Sequence, residues 1–185
     1  MIEWEWFRNS EPYEIIITGW ALRAALIPGG YFPIKVTDAI LRVFMSRDNA
    51  RYFLKQKRWR HYIPSRWTDG VLHGSFETNL LAQMKYFVRS HILYDASHCK
   101  MFTALVILDG SWSCYFWDMK DKKAIVLDPQ MQTCLVKDIK RCHRKVLKEL
   151  HTALFYIIEH VFLEWKISSE DWTNVYRNDV GPRCK

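Results

Sequence analysis

The clearest hydrophobic pattern lies in the middle of the chain, where three short runs are rich in β-branched and aromatic residues. The runs are Phe102 to Leu108, Trp112 to Trp117 and Ala124 to Leu127. Asp109-Gly110 separates the first two, and an Asp-Gly step between such runs is typical of a tight hairpin. The pattern therefore predicts a three-stranded antiparallel meander. Its first strand is nearly all apolar, which predicts a central strand covered on both faces.

A second pattern follows the meander and has the spacing of a helix. Apolar residues recur three and four positions apart at Val146, Leu150, Leu154, Ile157, Ile158, Val161 and Trp165. This stripe predicts a long helix from about Ile139 to Trp165, with Asp138 as its N-cap. Because its second half is so apolar, we expect this helix to pack against the sheet.

Shorter elements are predicted in the first part of the chain. The nearly continuous apolar residues from Glu14 to Leu26 predict a short strand or turn that leads into a helix, which the Pro28-Gly29-Gly30 step ends. Thr37 is predicted to cap a helix from about Asp38 to Met45, with Asp38 favourable beside the positive end of the helix dipole.

The remaining segments give weaker signals. Arg58 to Gly74 mixes turn residues with aromatic residues at no clean period, which predicts a structured loop. A second helix is predicted from Glu77 to about Val88, because apolar residues recur there at helical spacing. The tail from Lys166 to Lys185 is polar and rich in turn residues, and it predicts no regular element.

Composition indicates a folded protein with a single core. The chain has 185 residues, of which 49% are hydrophobic and 15% aromatic, so we expect one α+β domain over residues 1–185. The longest apolar candidate for a membrane span, Ala153 to Trp165, is interrupted by Glu159 and His160. Met1 is not followed by the pattern of a secretory signal, so we expect an intracellular protein of the nucleus or cytoplasm, with no membrane partner.

Cysteine and charge patterns exclude some classes of site. Five scattered cysteines without C-x2-C spacing predict free thiols and neither a metal site nor a cofactor. The net charge of +7 is concentrated in two basic stretches, from Arg47 to Arg66 and from Lys137 to Lys148. We interpret them as solvated faces rather than a nucleic-acid interface, because no nucleic-acid-binding motif accompanies them.

The meander also has the order of residues that distinguishes one enzyme family. In the segment from Gly110 to Asp118, the second strand starts with Ser111-Trp112. The segment from Ala124 to Pro129 ends in Leu127-Asp128-Pro129. This resembles the catalytic domain of the ubiquitin-like-protein (SUMO-type) cysteine proteases, and most of all plant members associated with mobile elements. The resemblance covers roughly Trp20 to Trp165. It implies a papain-like α+β fold of the ubiquitin-like-protease type, and a Cys-His-Asp triad.

The resemblance implies roles for three residues of the meander. Asp128 takes the position of the Asp that orients the catalytic His, and Trp112 matches the tryptophan that follows that His. Ser111 stands where the family has the His itself, and a serine hydroxyl cannot take a proton from a thiol near neutral pH. Two alternatives stay open: Asp128 is also typical of a turn at a strand end, and Trp112 of an aromatic residue in a core.

The family's Asp-Cys-Gly nucleophile step is not reproduced near the end of the sequence. One alignment puts Val180 in the place of the Cys, and another puts Cys184 just before a lost Asp-Cys-Gly or Asp-Ser-Gly step. We expect that the chain is cut short before the nucleophile helix. His91 and His98 precede the first strand of the meander, so neither is predicted to replace the missing base.

Three functions are compatible with the sequence. The first is an inactive relative of the proteases that still binds a ubiquitin-like protein or its conjugates, with the segment from Trp59 to Trp67 and the basic stretches as contact surfaces. The second is an active cysteine peptidase with a relocated base or a longer native chain. The third is a basic protein that binds nucleic acid, which would show a steep dependence of affinity on salt.

Overall fold

The computed structural model describes residues 4–10, 13–27, 30, 32–52, 58–74, 80–88, 92, 94–129 and 136–177. Its strands are β1 (Glu5–Asn9), β2 (Ile15–Thr18), β3 (Arg60–Ile63), β4 (Met101–Leu108), β5 (Ser111–Asp118), β6 (Lys123–Leu127) and β7 (Thr173–Arg177). Its α-helices are α1 (Gly19–Leu26), α2 (Ile34–Arg51), α3 (Ser65–Leu72), α4 (Leu80–Met84) and α5 (Val136–Val161), with a 3-10 turn at Ala96–His98. None of the helices in these ranges is long and apolar enough to cross a bilayer.

The larger sheet has the strand order β3-β4-β5-β6-β7. Its inner strands β4, β5 and β6 are antiparallel neighbours, which confirms the predicted meander. The hairpin between β4 and β5 turns at Asp109 (φ 47°) and Gly110 (φ 76°), the two successive positive φ values that an Asp-Gly hairpin turn requires. Strand β4 pairs on both sides, with β3 and β5, so the prediction that it is a central strand is confirmed, and its residues Phe102, Thr103 and Ala104 are buried in succession.

One face of this sheet is covered by α5 and forms the main core. Cross-strand partners on this face are buried, including Phe102 with Trp117 and Ala104 with Tyr115. Helix α5 contributes the buried residues Leu147, Leu150, Ala153, Leu154, Ile157 and Ile158 to the same core. The predicted long helix is confirmed, but it runs from Val136 to Val161 rather than from about Ile139 to Trp165, so Asp138 lies in its first turn and is not its N-cap.

The smaller sheet pairs β1 with β2 and packs with α1 and α2 around a second cluster. The predicted short strand followed by a helix is confirmed, with the Thr18 side chain accepting from the Ala21 amide at 3.3 Å. The predicted boundaries of the next helix were wrong. Helix α2 begins after Pro33, its N-cap residue, and includes Thr37 in its interior, where the Thr37 hydroxyl donates to the Pro33 carbonyl at 3.3 Å.

The sequence patterns missed short elements in two segments of the chain. The predicted loop from Arg58 to Gly74 in fact contains β3 and α3, and β3 pairs in parallel with β4. The tail contains β7, which pairs in parallel with β6. Within the described residues, α4 is shorter than the helix predicted from Glu77 to Val88, because turns replace it after Met84.

Candidate functional site

The residues that the resemblance singled out lie at one end of the β5–β6 pair. Asp128 directly follows β6, and Leu127 pairs with Cys114, so the same register places Asp128 opposite Ser113. Side chains alternate along a strand, which puts Asp128, Ser113 and Ser111 on the face covered by α5. Asp128 is only 7% exposed. It is therefore a buried carboxylate at a strand end.

A histidine from α5 binds this carboxylate. The His143 Nε2 atom lies 2.8 Å from Asp128 Oδ2, and its Nδ1 atom lies 2.5 Å from the hydroxyl of Tyr115. His143 is 1% exposed and Tyr115 is fully buried. These three residues, the Asp128–His143–Tyr115 network, join β6, α5 and β5 by hydrogen bonds.

A neutral imidazole ring at His143 satisfies both of its hydrogen-bond partners. If the ring is neutral, its Nε2–H donates to the Asp128 carboxylate and its Nδ1 accepts from the Tyr115 hydroxyl. Burial, and then the charge of Asp128, raises the pKa of Tyr115 well above its ordinary value, so the phenol keeps the proton that it donates. Both ring nitrogens of His143 are therefore occupied by protein groups.

His143 was missed because it lies in a basic stretch that was interpreted as a solvated face. Its neighbours Cys142 and Arg144 are indeed exposed. A signal was nevertheless present in the helical spacing, since His143 precedes Leu147 by four residues and Leu150 by seven. That spacing extends the buried stripe of α5 by one turn toward its N-terminus.

Ser111 is the first residue of β5 and is half-buried. It pairs with Leu108 of β4, and it lies two residues from Ser113, the partner position of Asp128. Ser111 and Asp128 are therefore diagonal neighbours on one face, and such neighbours have Cα atoms roughly 7–8 Å apart. We predict from this position that their side chains lie within reach of each other.

Trp112 points to the opposite face of the sheet from Ser111. It is half-buried, and its indole Nε1–H donates to the carbonyl of Phe32 at 3.0 Å. This bond joins β5 to the segment before α2. The contact favours the packing interpretation of Trp112 that the sequence left open.

Among the cysteines that the structure describes, two are poor nucleophiles and the third faces solvent. Burial raises the pKa of the Cys99 and Cys114 thiols to about 12 each, so both are protonated at neutral pH. Cys142 is exposed on the solvent side of α5. Val180 and Cys184, the two positions aligned with the nucleophile step, lie outside the described residues, as does His91.

Other candidate ligands do not assemble into a site in the part of the chain that the structure describes. His98 is exposed and lies 3.2 Å from the carboxylate of Asp95 in the 3-10 turn, which precedes β4 and so lies at the opposite end of β5 from Ser111. Across the described ranges, no group of three or more His, Cys, Asp or Glu side chains is arranged to hold a metal ion.

Comparison of whole structures finds close likeness in fold, whereas no protein-family model and no curated protein sequence matches the chain. A de-sumoylating protease superposes with a TM-score of 0.64 at 9% identity, covering 91% of this chain and 62% of the other. The C-terminal Ulp1 protease domain, solved in complex with SMT3, the yeast orthologue of SUMO, gives 0.55 at 15% identity, covering 92% and 66%.

A third solved structure agrees with these two. The Ulp1-like SUMO protease catalytic domain of Chaetomium thermophilum gives a TM-score of 0.55 at 13% identity, covering 86% of this chain and 58% of the other. The chain thus has the α+β papain-like fold of the Ulp1 protease domains, as the sequence predicted. It spans less than two thirds of the length of each of these three structures.

Proposed function

We propose that this chain is a binding domain for a SUMO-type ubiquitin-like protein and that it does not hydrolyse its partner. The Asp128–His143–Tyr115 network is the observation that supports the loss of catalysis. The carboxylate at the orienting position is bound to a histidine inside the core, while Ser111 occupies the first position of β5. The fold supports the choice of partner, since one solved relative in fold is bound to SMT3.

The chemistry of a thiol protease explains why this arrangement is unsuited to hydrolysis. The nucleophile must lose its proton to a base that is itself oriented by a carboxylate. Ser111 cannot act as that base. His143 does contact Asp128, but it is 1% exposed and both its ring nitrogens already have protein partners, so it offers no free acceptor for the proton of a nucleophilic thiol.

A surface suited to a protein partner lies on α2. Its exposed side has apolar residues at helical spacing, with Ile40, Val43 and Phe44 exposed by 40%, 51% and 43%. Exposed Arg47 and Arg51 continue the same stripe. A small apolar centre with a charged rim is the usual anatomy of a protein interface.

Part of the contact surface that the sequence predicted is buried. Trp67 is 2% exposed and Tyr62 is 6% exposed, so the segment from Trp59 to Trp67 does not form a continuous aromatic surface. Trp59 itself is 46% exposed, and the neighbouring Arg60 pairs with Asp48 of α2 at 2.8 Å. Trp59 can therefore extend the α2 surface.

Binding is tested by isothermal titration of the full chain with a purified SUMO-type protein. Val43→Glu places a charge at the apolar centre of the α2 surface, and we expect it to weaken binding by about tenfold or more. Leu163→Glu is the matched control, because Leu163 is 96% exposed and lies after α5. Absence of binding by the wild type, or equal loss in both variants, would contradict the proposed interface.

Hydrolysis is tested separately with a thiol-trapping probe derived from a SUMO-type protein. We expect no labelling of the wild type, and none after Ser111→His alone, because losing one member of a catalytic unit already costs several orders of magnitude in rate. Labelling of the wild type that Cys184→Ala or His143→Gln abolishes would instead establish a rearranged peptidase.

A further inference from the structure

A groove of about 610 Å³ runs along the outer flank of α5, between that helix and the segment that leads into β7. Its lining includes neither Asp128, Ser111 nor any residue of the α2 surface. A volume of this size lies within the range of ligand-binding clefts. The groove is therefore a feature that the proposed function leaves unexplained.

Three aromatic side chains in mutual contact lie at the floor of the groove. The ring of His151 lies 4.6 Å from that of Phe155 and 5.2 Å from that of Trp172, and the last two are 5.3 Å apart. The His151 Nε2–H donates to the Ser169 carbonyl at 2.9 Å, and its Nδ1 accepts from the Trp117 indole at 3.2 Å. These two hydrogen bonds hold the His151 ring in place, so a ligand would meet a surface that is already ordered.

Unpaired positive charge lies on the rim at one end. Arg144 and Lys148 line the groove, are one helical turn apart and are both exposed. Neither forms an ion pair with another residue in the described ranges. Further exposed cations continue along α5 toward its N-terminus, and Lys140 lies over the ring of Tyr176 on β7. This end of the groove favours a negatively charged ligand.

The opposite end of the groove and its β7 side restrict what that ligand can be. Glu159 lines the far end, where it would repel a polymer with a negative charge on every unit, such as a nucleic acid. Asn174 lines the groove from β7, the edge strand of the sheet, which pairs on one side with β6. An edge strand presents main-chain donors and acceptors to which an extended peptide can add.

We infer that this groove binds an extended acidic segment of a partner protein. Its carboxylates contact Arg144 and Lys148, and an apolar or aromatic side chain packs against the half-buried Trp172. A peptide, unlike a nucleic acid, can place an uncharged residue beside Glu159. The inference stands apart from the proposed function, because it needs neither the α2 surface nor a SUMO-type partner.

The test uses the full chain and a synthetic peptide in which Glu alternates with Val and Phe, with binding measured by fluorescence anisotropy. A peptide with Gln in place of every Glu is the ligand control. We expect Arg144→Glu to weaken binding by about tenfold or more and Lys145→Glu by about twofold or less. The two variants change the net charge equally at neighbouring exposed positions, but Lys145 does not line the groove.

A third variant tests the groove itself without changing charge. Thr152 is exposed and lines the groove, so Thr152→Trp fills the groove while it leaves the core intact, and we expect it also to weaken binding about tenfold. Equal loss in Arg144→Glu and Lys145→Glu, unchanged affinity in Thr152→Trp, or no binding by the wild type would overturn the inference. Tighter binding of a single-stranded oligonucleotide through the same residues would overturn it as well.

Discussion

Two buried histidines belong to the same core, yet they are accommodated in different ways. His143 has a carboxylate on one ring nitrogen and a phenol on the other. His61, on β3, has the Tyr94 hydroxyl at 2.8 Å and is otherwise surrounded by aromatic rings, including those of Phe87 and Phe102 at about 5.4 and 5.3 Å. Across the described ranges, no carboxylate contacts His61.

The two positions therefore use a buried histidine in different ways. Burial lowers the pKa of His61 to about 3, so this ring is neutral wherever the protein is folded and packs as a polar-edged aromatic residue. His143 instead connects three elements through a buried carboxylate. The stability contributed by His61 depends on the shape of its ring, whereas that of His143 depends on its hydrogen bond to a buried carboxylate.

The largest effect is expected from His143→Leu. The substitution removes a buried hydrogen-bond donor from the Asp128 carboxylate, and leaving that group without its partner costs about 3 kcal/mol of the free energy of unfolding. Urea denaturation at neutral pH measures it. His143→Gln can still donate to Asp128 and should lose less than half as much. Equal losses in the two variants would show that ring volume rather than the donor matters at this position.

The second effect is a dependence on pH that comes from His61. In the unfolded chain its pKa is about 6.5, whereas the folded value is about 3. Between these values the unfolded chain binds a proton that the folded chain excludes, so stability is complete above about pH 6.5 and falls as the pH decreases. The contribution amounts to about 2 kcal/mol between pH 7 and pH 5.

His61→Phe should remove that part of the pH dependence and keep the aromatic packing. Urea midpoints of the wild type and of His61→Phe, measured from about pH 7 to pH 5, give the comparison. Tyr94→Phe is the matched control, since it removes the hydroxyl partner of His61 but not the titrating group. A slope that survives in His61→Phe would assign the titration to another residue.

The smallest effect is expected at His151, which is only half-buried and links Trp117 to Ser169. Burial also lowers the pKa of His151. Protonation of this ring therefore destabilises the folded chain as the pH decreases, as it does for His61. His151→Phe removes two hydrogen bonds at the groove floor and should cost about 1–2 kcal/mol. Hydrogen exchange of the amides around Trp172 should accelerate more than that of β4, which serves as the internal control.

The sequence predicted the parts of the fold whose partners are close along the chain. The meander was found because Asp109-Gly110 fixes a hairpin between strands that are direct neighbours. Strands β3 and β7 were missed because each is short and pairs in parallel with a strand far away in the sequence. Alternation alone gives little signal when the partner of a strand is remote.

The same reasoning explains what was found and missed at the candidate site. Asp128 could be placed at a strand end from local spacing and from the resemblance. Its partner His143 could not be predicted, since the contact depends on how α5 crosses the sheet. The basic residues around His143 also gave no sign that this one side chain is buried. The helical spacing from His143 to Leu147 was the one local signal of burial.

The parallel pairing of the two outer strands has a consequence for the order in which the chain folds. Strands β4 to β6 are joined by tight turns and can pair as soon as they are synthesised, because their loops are short. Strand β7 can join β6 only after α5 has crossed the sheet, and β3 can join β4 only after a long connection has closed. We therefore expect the meander to nucleate folding and the two outer strands to be added last.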